Sequence, residues 1–246
     1  FQLQFHLYLM QLIFEVVNEP YFELNDFEMD FINMMIIEAI RSTGGNNSTR
    51  QIIITGGSST SYQAPTSISD EVLSYDPNLI ASFHYYIPFN FTASSQDQYN
   101  DFNWGTNADK STVDSHFNFV KNWSETNNIP VTLGEFGADN ESGYNYNTGV
   151  YGSNGGPLNS DRVEYHRYIA EQATNRGFSF SAWCAGNKST KTIHLRTDNP
   201  ETNNSNSGAW VEEVKDALLS DGAWPICYGP YNLSLIHISE PTRRYS

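Results

Sequence analysis

Leu12-Ile13-Phe14-Glu15-Val16-Val17 runs without a break into Asn18-Glu19-Pro20, and far along the chain Val131-Thr132-Leu133 leads the same way into Gly134-Glu135-Phe136-Gly137. Each apolar, β-branched run predicts a buried strand, and each sets a carboxylate where the strand gives way to a loop. An unpartnered charge is costly at such a place. Two glutamates at the C-terminal ends of two parallel strands would both project into the mouth of a barrel. An ion pair, or a cap on the following helix, would account for either glutamate alone but poorly for both.

Working outward, five such runs stand out, at 12–17, 51–55, 79–86, 130–135 and 178–183, each bounded by Gly, Pro or Asn. Their near-continuous hydrophobicity is what a parallel sheet covered on both faces requires. Helical patterns lie between them. Phe27, Phe31, Met34, Met35 and Ile37 recur at three- to four-residue spacing over 26–41 behind Asn25 as a cap. A second helix is predicted over about 108–127, and a third over 161–176, capped by Ser160 and stopped by Gly177. A last one, about 208–220, would carry Trp210, Val211, Val214, Ala217 and Leu218 on one face. Alternating strands and helices predict an α/β fold with a parallel sheet. Long polar segments at 88–107 and 138–159 leave the ends of the third and fourth strands, where loops of such length tend to carry function.

The composition narrows the partners. With 13 Lys plus Arg against 28 Asp plus Glu, the formal balance is 13 − 28 = −15, which would repel nucleic acid and an anionic membrane surface rather than gather them. No stretch of 18 apolar residues predicts a membrane span. Cys184 and Cys227 are the two cysteines, too few for a disulfide framework and without the close Cys/His company of a zinc site. No metal or cofactor is expected, and the chain should be a monomer. Fifteen Tyr, fifteen Phe and five Trp offer more ring surface than a core alone usually needs.

Paired carboxylates of this kind are what glycoside hydrolysis requires: an acid to protonate the leaving oxygen and a carboxylate to attack the anomeric carbon, about 5 Å apart when configuration is retained. Four segments then carry a resemblance: Ile13-Phe14-Glu15-Val16-Val17-Asn18-Glu19-Pro20, His84-Tyr85-Tyr86 with Pro88-Phe89 and Phe91-Thr92, Leu133-Gly134-Glu135-Phe136-Gly137-Ala138, and Phe180-Ser181-Ala182-Trp183. In that order they resemble glycoside hydrolase family 5, the (β/α)8 cellulases of clan A, over about 12–219.

The resemblance implies a TIM barrel, Glu19 as general acid/base, Glu135 as nucleophile, and Asn18 holding the hydroxyl beside the reacting carbon. It implies a hydrogen bond from Tyr86 to the nucleophile, an orienting role for His84 beside the acid/base, and Trp183 as the floor beneath the reacting sugar. Trp104, on the first long loop, is a candidate to extend the substrate groove with Phe89, Phe91, Tyr144 and Tyr146. The implied activity is retaining, endo-acting hydrolysis of β-1,4 bonds in cellulose or related β-glucans, with a β-glucan polysaccharide as partner and a secreted location.

The chain also departs from that pattern. Five strands correspond to about strands 4 to 8 of a barrel, so the first three, with the Arg and His they carry in the family, are expected to be missing. The start, 1–11, reads as neither a natural N-terminus nor a signal peptide. Residues 1–232 read as a partial catalytic barrel and 233–246 as a non-native tail. A chain with two open sheet edges should be poorly soluble or inactive as written. Cys184, where an aromatic or small residue is more usual, leaves the shape of the sugar floor open. The rival readings are a mannanase or xyloglucanase on the same fold, a non-catalytic carbohydrate-binding barrel, and a Mg²⁺-dependent barrel enzyme.

Overall fold

The computed structural model describes residues 12–20, 24–57, 61–96, 98–184, 186, 189–196 and 208–220. The segments at 1–11 and 233–246, and Cys227, lie outside them. The described strands are β1 (Phe14–Glu15), β2 (Ile52–Ile54), β3 (Leu79–Tyr85), β4 (Val131–Phe136) and β5 (Ser179–Ala182), which form a parallel five-stranded sheet in sequential order, and the short β6 (His194–Arg196) and β7 (Gly208–Trp210), which form an antiparallel pair. The described α-helices longer than one turn are α1 (Asp26–Ser42), α2 (Asp70–Tyr75), α3 (Asn107–Asn127), α4 (Asn159–Asn175) and α5 (Glu212–Leu219), with a single helical turn at Phe89–Thr92 after β3. The chain divides into two compact units, residues 1–84 with 118–132 and residues 85–117 with 133–246.

In the first unit, β1 pairs Phe14 with Ile52 and β2 pairs Ile52 with Leu79, while the Ala81 amide donates to the Pro130 carbonyl at 2.9 Å to bring β3 beside the chain entering β4. All seven residues of β3 are buried, as a central parallel strand demands. Among the described residues β1 pairs with β2 alone and is shorter than its apolar run; Leu12 is exposed. α1 begins with a capping box, Asn25 accepting from the Glu28 amide at 3.0 Å and Glu28 accepting from the Asn25 amide at 3.0 Å, which satisfies two otherwise orphaned donors. The helix docks through Asn33, whose amide donates to the Thr55 carbonyl at 2.9 Å. At its other end Arg41 grips Asp76 with two parallel bonds of 2.6 and 2.8 Å.

In the second unit aromatic rings make the core. Phe117 meets Tyr85 edge-on at 5.1 Å, and Phe136 meets Phe180 at 5.8 Å. The Trp183 amide donates to the Phe136 carbonyl at 2.8 Å, tying β5 to β4. α4 starts at Asn159 behind Leu158, which makes no side-chain cap; Ser160, expected as the cap, lies inside the first turn and bonds Asp161. Gly177, at φ +78°, stops the helix where a side chain would be strained.

One predicted helix is corrected at its start. Residues 208–210 are a strand, with His194 opposite Trp210 and the two rings in contact at 4.7 Å, and α5 begins only at Glu212. The helical spacing persisted across this boundary because Trp210 and Val211 pack on the same small core as Val214. Cys184 belongs to that core as well, its sulfur accepting the Ile193 amide at 3.2 Å.

Candidate active site

Glu19 follows β1 by four residues and its side chain is 43% exposed. One oxygen lies 2.8 Å from Nδ1 of His84, which is buried on β3. That hydrogen bond holds the Glu19 carboxyl below the usual carboxylate range; partial burial opposes the shift and the positive charge His84 can carry adds to it. Asn18 stands exposed in the bend beside it.

The second unit builds an equivalent pair. Glu135, the fifth of the six residues of β4, is 7% exposed and accepts the Tyr86 hydroxyl at 2.9 Å. Tyr86 follows β3 directly. His84 and Tyr86 are thus alternate residues at one strand end, a spacing that sends side chains to the same side of a strand, and each holds one glutamate. Trp183 directly follows β5 and is half-buried.

Trp104 is a correction. Its ring is 5% exposed and packs edge-on against Tyr165 at 5.2 Å and beside Phe91 and Tyr168, so it fills the core of the second unit and offers no face to a substrate. Phe91, fully buried, is excluded from the groove on the same ground. His166 is no candidate acid: burial first, then the charge of Arg162, push it down to about 3, and it stays neutral.

Two residues near Glu135 escaped the sequence reading. Asp139, fully buried, pairs with Lys191 at 2.7 Å, and the Lys191 ammonium lies 5.7 Å from the centre of the Tyr86 ring, within cation–π reach. Asp139, four residues past Glu135 in the same strand-to-loop passage, could have been suspected. Lys191 comes from an irregular loop with no periodicity to flag it.

Each carboxylate stands at or just past the end of a parallel strand and is held by a side chain from the end of β3 within its own unit, the kind of position at which α/β barrel enzymes place catalytic groups. The chain belongs to the cellulase family, glycosyl hydrolase family 5, whose model matches residues 4–189. It is 34% identical to Endoglucanase H of Acetivibrio thermocellus over 218 residues, covering 87% of this chain and 20% of that protein. It is 30% identical to Endoglucanase A of Clostridium longisporum, covering 85% and 38%. A solved hyperthermophilic endo-β-1,4-glucanase in complex with substrate superposes with a TM-score of 0.66 at 26% identity, over 89% of this chain and 62% of that one. The chain therefore spans less than two thirds of the length of each of these relatives. Among the described residues no helix is long and apolar enough to cross a membrane.

Proposed function

We propose that this chain carries the catalytic carboxylates of a retaining endo-β-1,4-glucanase. The observation that carries the reading is the pair of strand-end glutamates with their separate partners, His84 for Glu19 and Tyr86 for Glu135. Family membership supports it, as does the likeness to relatives that are endoglucanases.

In this mechanism Glu135, ionised and steadied by the Tyr86 hydroxyl, attacks the anomeric carbon while Glu19 gives its proton to the leaving oxygen. The His84 hydrogen bond favours the ionised form of Glu19, the form that serves as base in the second step. Once the glycosyl ester forms on Glu135, its negative charge is gone, and Glu19 takes a proton from the water that cleaves the ester. Asn18 holds the hydroxyl beside the reacting carbon, and Trp183 lies under the sugar, an indole face against the apolar face of a pyranose. The steps need two carboxylates and water, with no cofactor. A polymeric β-glucan cannot enter a cell, so the reaction takes place outside it.

A 2-deoxy-2-fluoro cellobioside with an activated leaving group tests the assignment, because it is expected to leave a stable ester on one peptide. Mass spectrometry should find that ester on Glu135. Label on another residue would overturn the assignment.

A further inference from the structure

The segment after β4 is long, polar and closely built, and the reaction as proposed does not use it. Asn140 pins its base. The Asn140 side-chain amide donates to the Tyr144 and Ser189 carbonyls at 2.8 and 3.2 Å, and its oxygen accepts the Thr192 amide at 2.8 Å. Beneath it Arg162, 1% exposed, donates to the Thr192 carbonyl at 2.7 Å. The segment then closes on itself through glycines: a Cβ on Gly143 would meet the Gly155 carbonyl oxygen at 2.3 Å, and one on Gly156 would meet the Gly143 nitrogen at 2.1 Å. A buried guanidinium is an expensive device for stability alone; here it fixes the shape of a surface loop before anything binds.

What the loop displays is aromatic. Tyr144 lies 4.9 Å from Tyr146 edge-on and 4.9 Å from Tyr151, and Tyr151 is 63% exposed, so the cluster is open to solvent on one side. Tyr144 and Tyr151 line a cleft of about 250 Å³ whose other walls include Ser95, Asn145, Thr148 and Thr190. Phenol rings with hydroxyl and amide groups around them match a sugar, which presents apolar C–H faces and a rim of hydroxyls. The volume is below the roughly 300–1,000 Å³ of sites for drug-sized ligands, so it suits a sugar ring rather than a larger body.

The cleft is also connected to the nucleophile within the same unit. Ser95, in its wall, donates its amide to Asp139 at 2.9 Å; Asp139 pairs with Lys191 at 2.7 Å; Lys191 lies over Tyr86, which donates to Glu135 at 2.9 Å. We infer that the cleft formed by Tyr144 and Tyr151 is a distal subsite, which holds a sugar of the β-glucan chain beyond the one that reacts. The inference rests on the glucanase reading and names how that site would prefer long chains.

The experiment uses the full chain carrying Glu135→Gln to stop turnover, titrated calorimetrically with cellobiose and with cellohexaose. Adding Tyr151→Ala should weaken cellohexaose about 3- to 10-fold, the span of one ring contact, and leave cellobiose unchanged. Tyr151→Phe, which keeps the ring, should bind both as the parent does. Because Tyr151 is exposed, the melting temperature should not move, and cellohexaose should protect Tyr151 from nitration in the parent. Unchanged cellohexaose affinity in Tyr151→Ala, or equal weakening of both ligands, overturns the subsite alone. A parent that melts cooperatively yet binds neither oligosaccharide overturns the glucanase reading and the subsite with it.

Discussion

Glu19 and Glu135 end two strands of similar sequence, yet they occupy opposite environments. Glu19 follows a two-residue strand, is 43% exposed, and shares a hydrogen bond with a histidine. Glu135 lies inside a six-residue strand, is 7% exposed, and accepts from a phenol. Within the described sheet β4 has a neighbour on each side, β3 and β5, and its Glu135 is covered. The contrast suits the proposed division of labour. A group that exchanges protons needs a titratable partner and access to water, while a nucleophile needs to be ionised, held and screened from competing solvent.

The sharpest way to break the contrast is to neutralise each glutamate in turn. Glu135→Gln is expected to lose roughly 10⁴-fold in turnover of any substrate, on the scale seen when a nucleophile is removed. Glu19→Gln should lose comparably on cellulose but retain most of its rate of glycosylation by a dinitrophenyl cellobioside, whose leaving group needs no acid. Pre-steady-state release of dinitrophenol measures this, and equal losses on that substrate would merge the two roles.

Next in size is the clamp of the first unit. Burial would raise the Asp76 carboxyl, but the bonds from Arg41 and from the Asn78 amide outweigh it and leave the group below its ordinary range. Arg41→Met leaves a buried carboxylate without its guanidinium and should cost about 3 kcal/mol at pH 7. A group with a lowered folded pKa stabilises above its unfolded value, near 3.9, and loses that contribution as pH falls through the folded one. The parent's advantage over Arg41→Met in urea midpoint should therefore shrink below about pH 4. An advantage that grows on acidification would refute the linkage.

A smaller effect sharpens the Glu19 side. The His84 hydrogen bond is the largest cause of the lowered Glu19 carboxyl, so His84→Gln should let it rise. The alkaline limb of the kcat/KM profile, set by loss of the Glu19 proton, should then move to higher pH. A shift to lower pH would mean that His84 holds the proton on Glu19 rather than drawing it away.

The smallest effect compares the helix starts of the two units. Asn25→Ala removes a working cap and should cost about 1 kcal/mol. Ser160→Ala, at a position that caps nothing, should stay within about 0.5 kcal/mol. Thermal melts of the two variants would decide it.

The strands were legible because a covered parallel strand must be apolar almost throughout, and α1 was legible because Asn25 and Glu28 write its capping box into adjacent sequence. Less legible were features set by partners far along the chain. The 208–210 segment became a strand because 194–196 lay beside it to accept pairing, and no local spacing reveals that. Trp104 looked like a groove residue on a polar loop until Tyr165 and Tyr168, more than fifty positions later, closed around it. Ser160 had the chemistry of a cap but stood two residues too late.

By itself, then, the sequence determined the α/β alternation, the strand-end glutamates and the family, because strand burial and the motif residues are local properties of the chain. Tertiary structure alone decided that Glu19 meets His84, that Tyr86 meets Glu135, that Lys191 and Asp139 stand behind Tyr86, and that Trp104 is core. Those facts depend on distances between residues remote in sequence, and such distances exist only once the sheet has assembled and the loops have closed over its end.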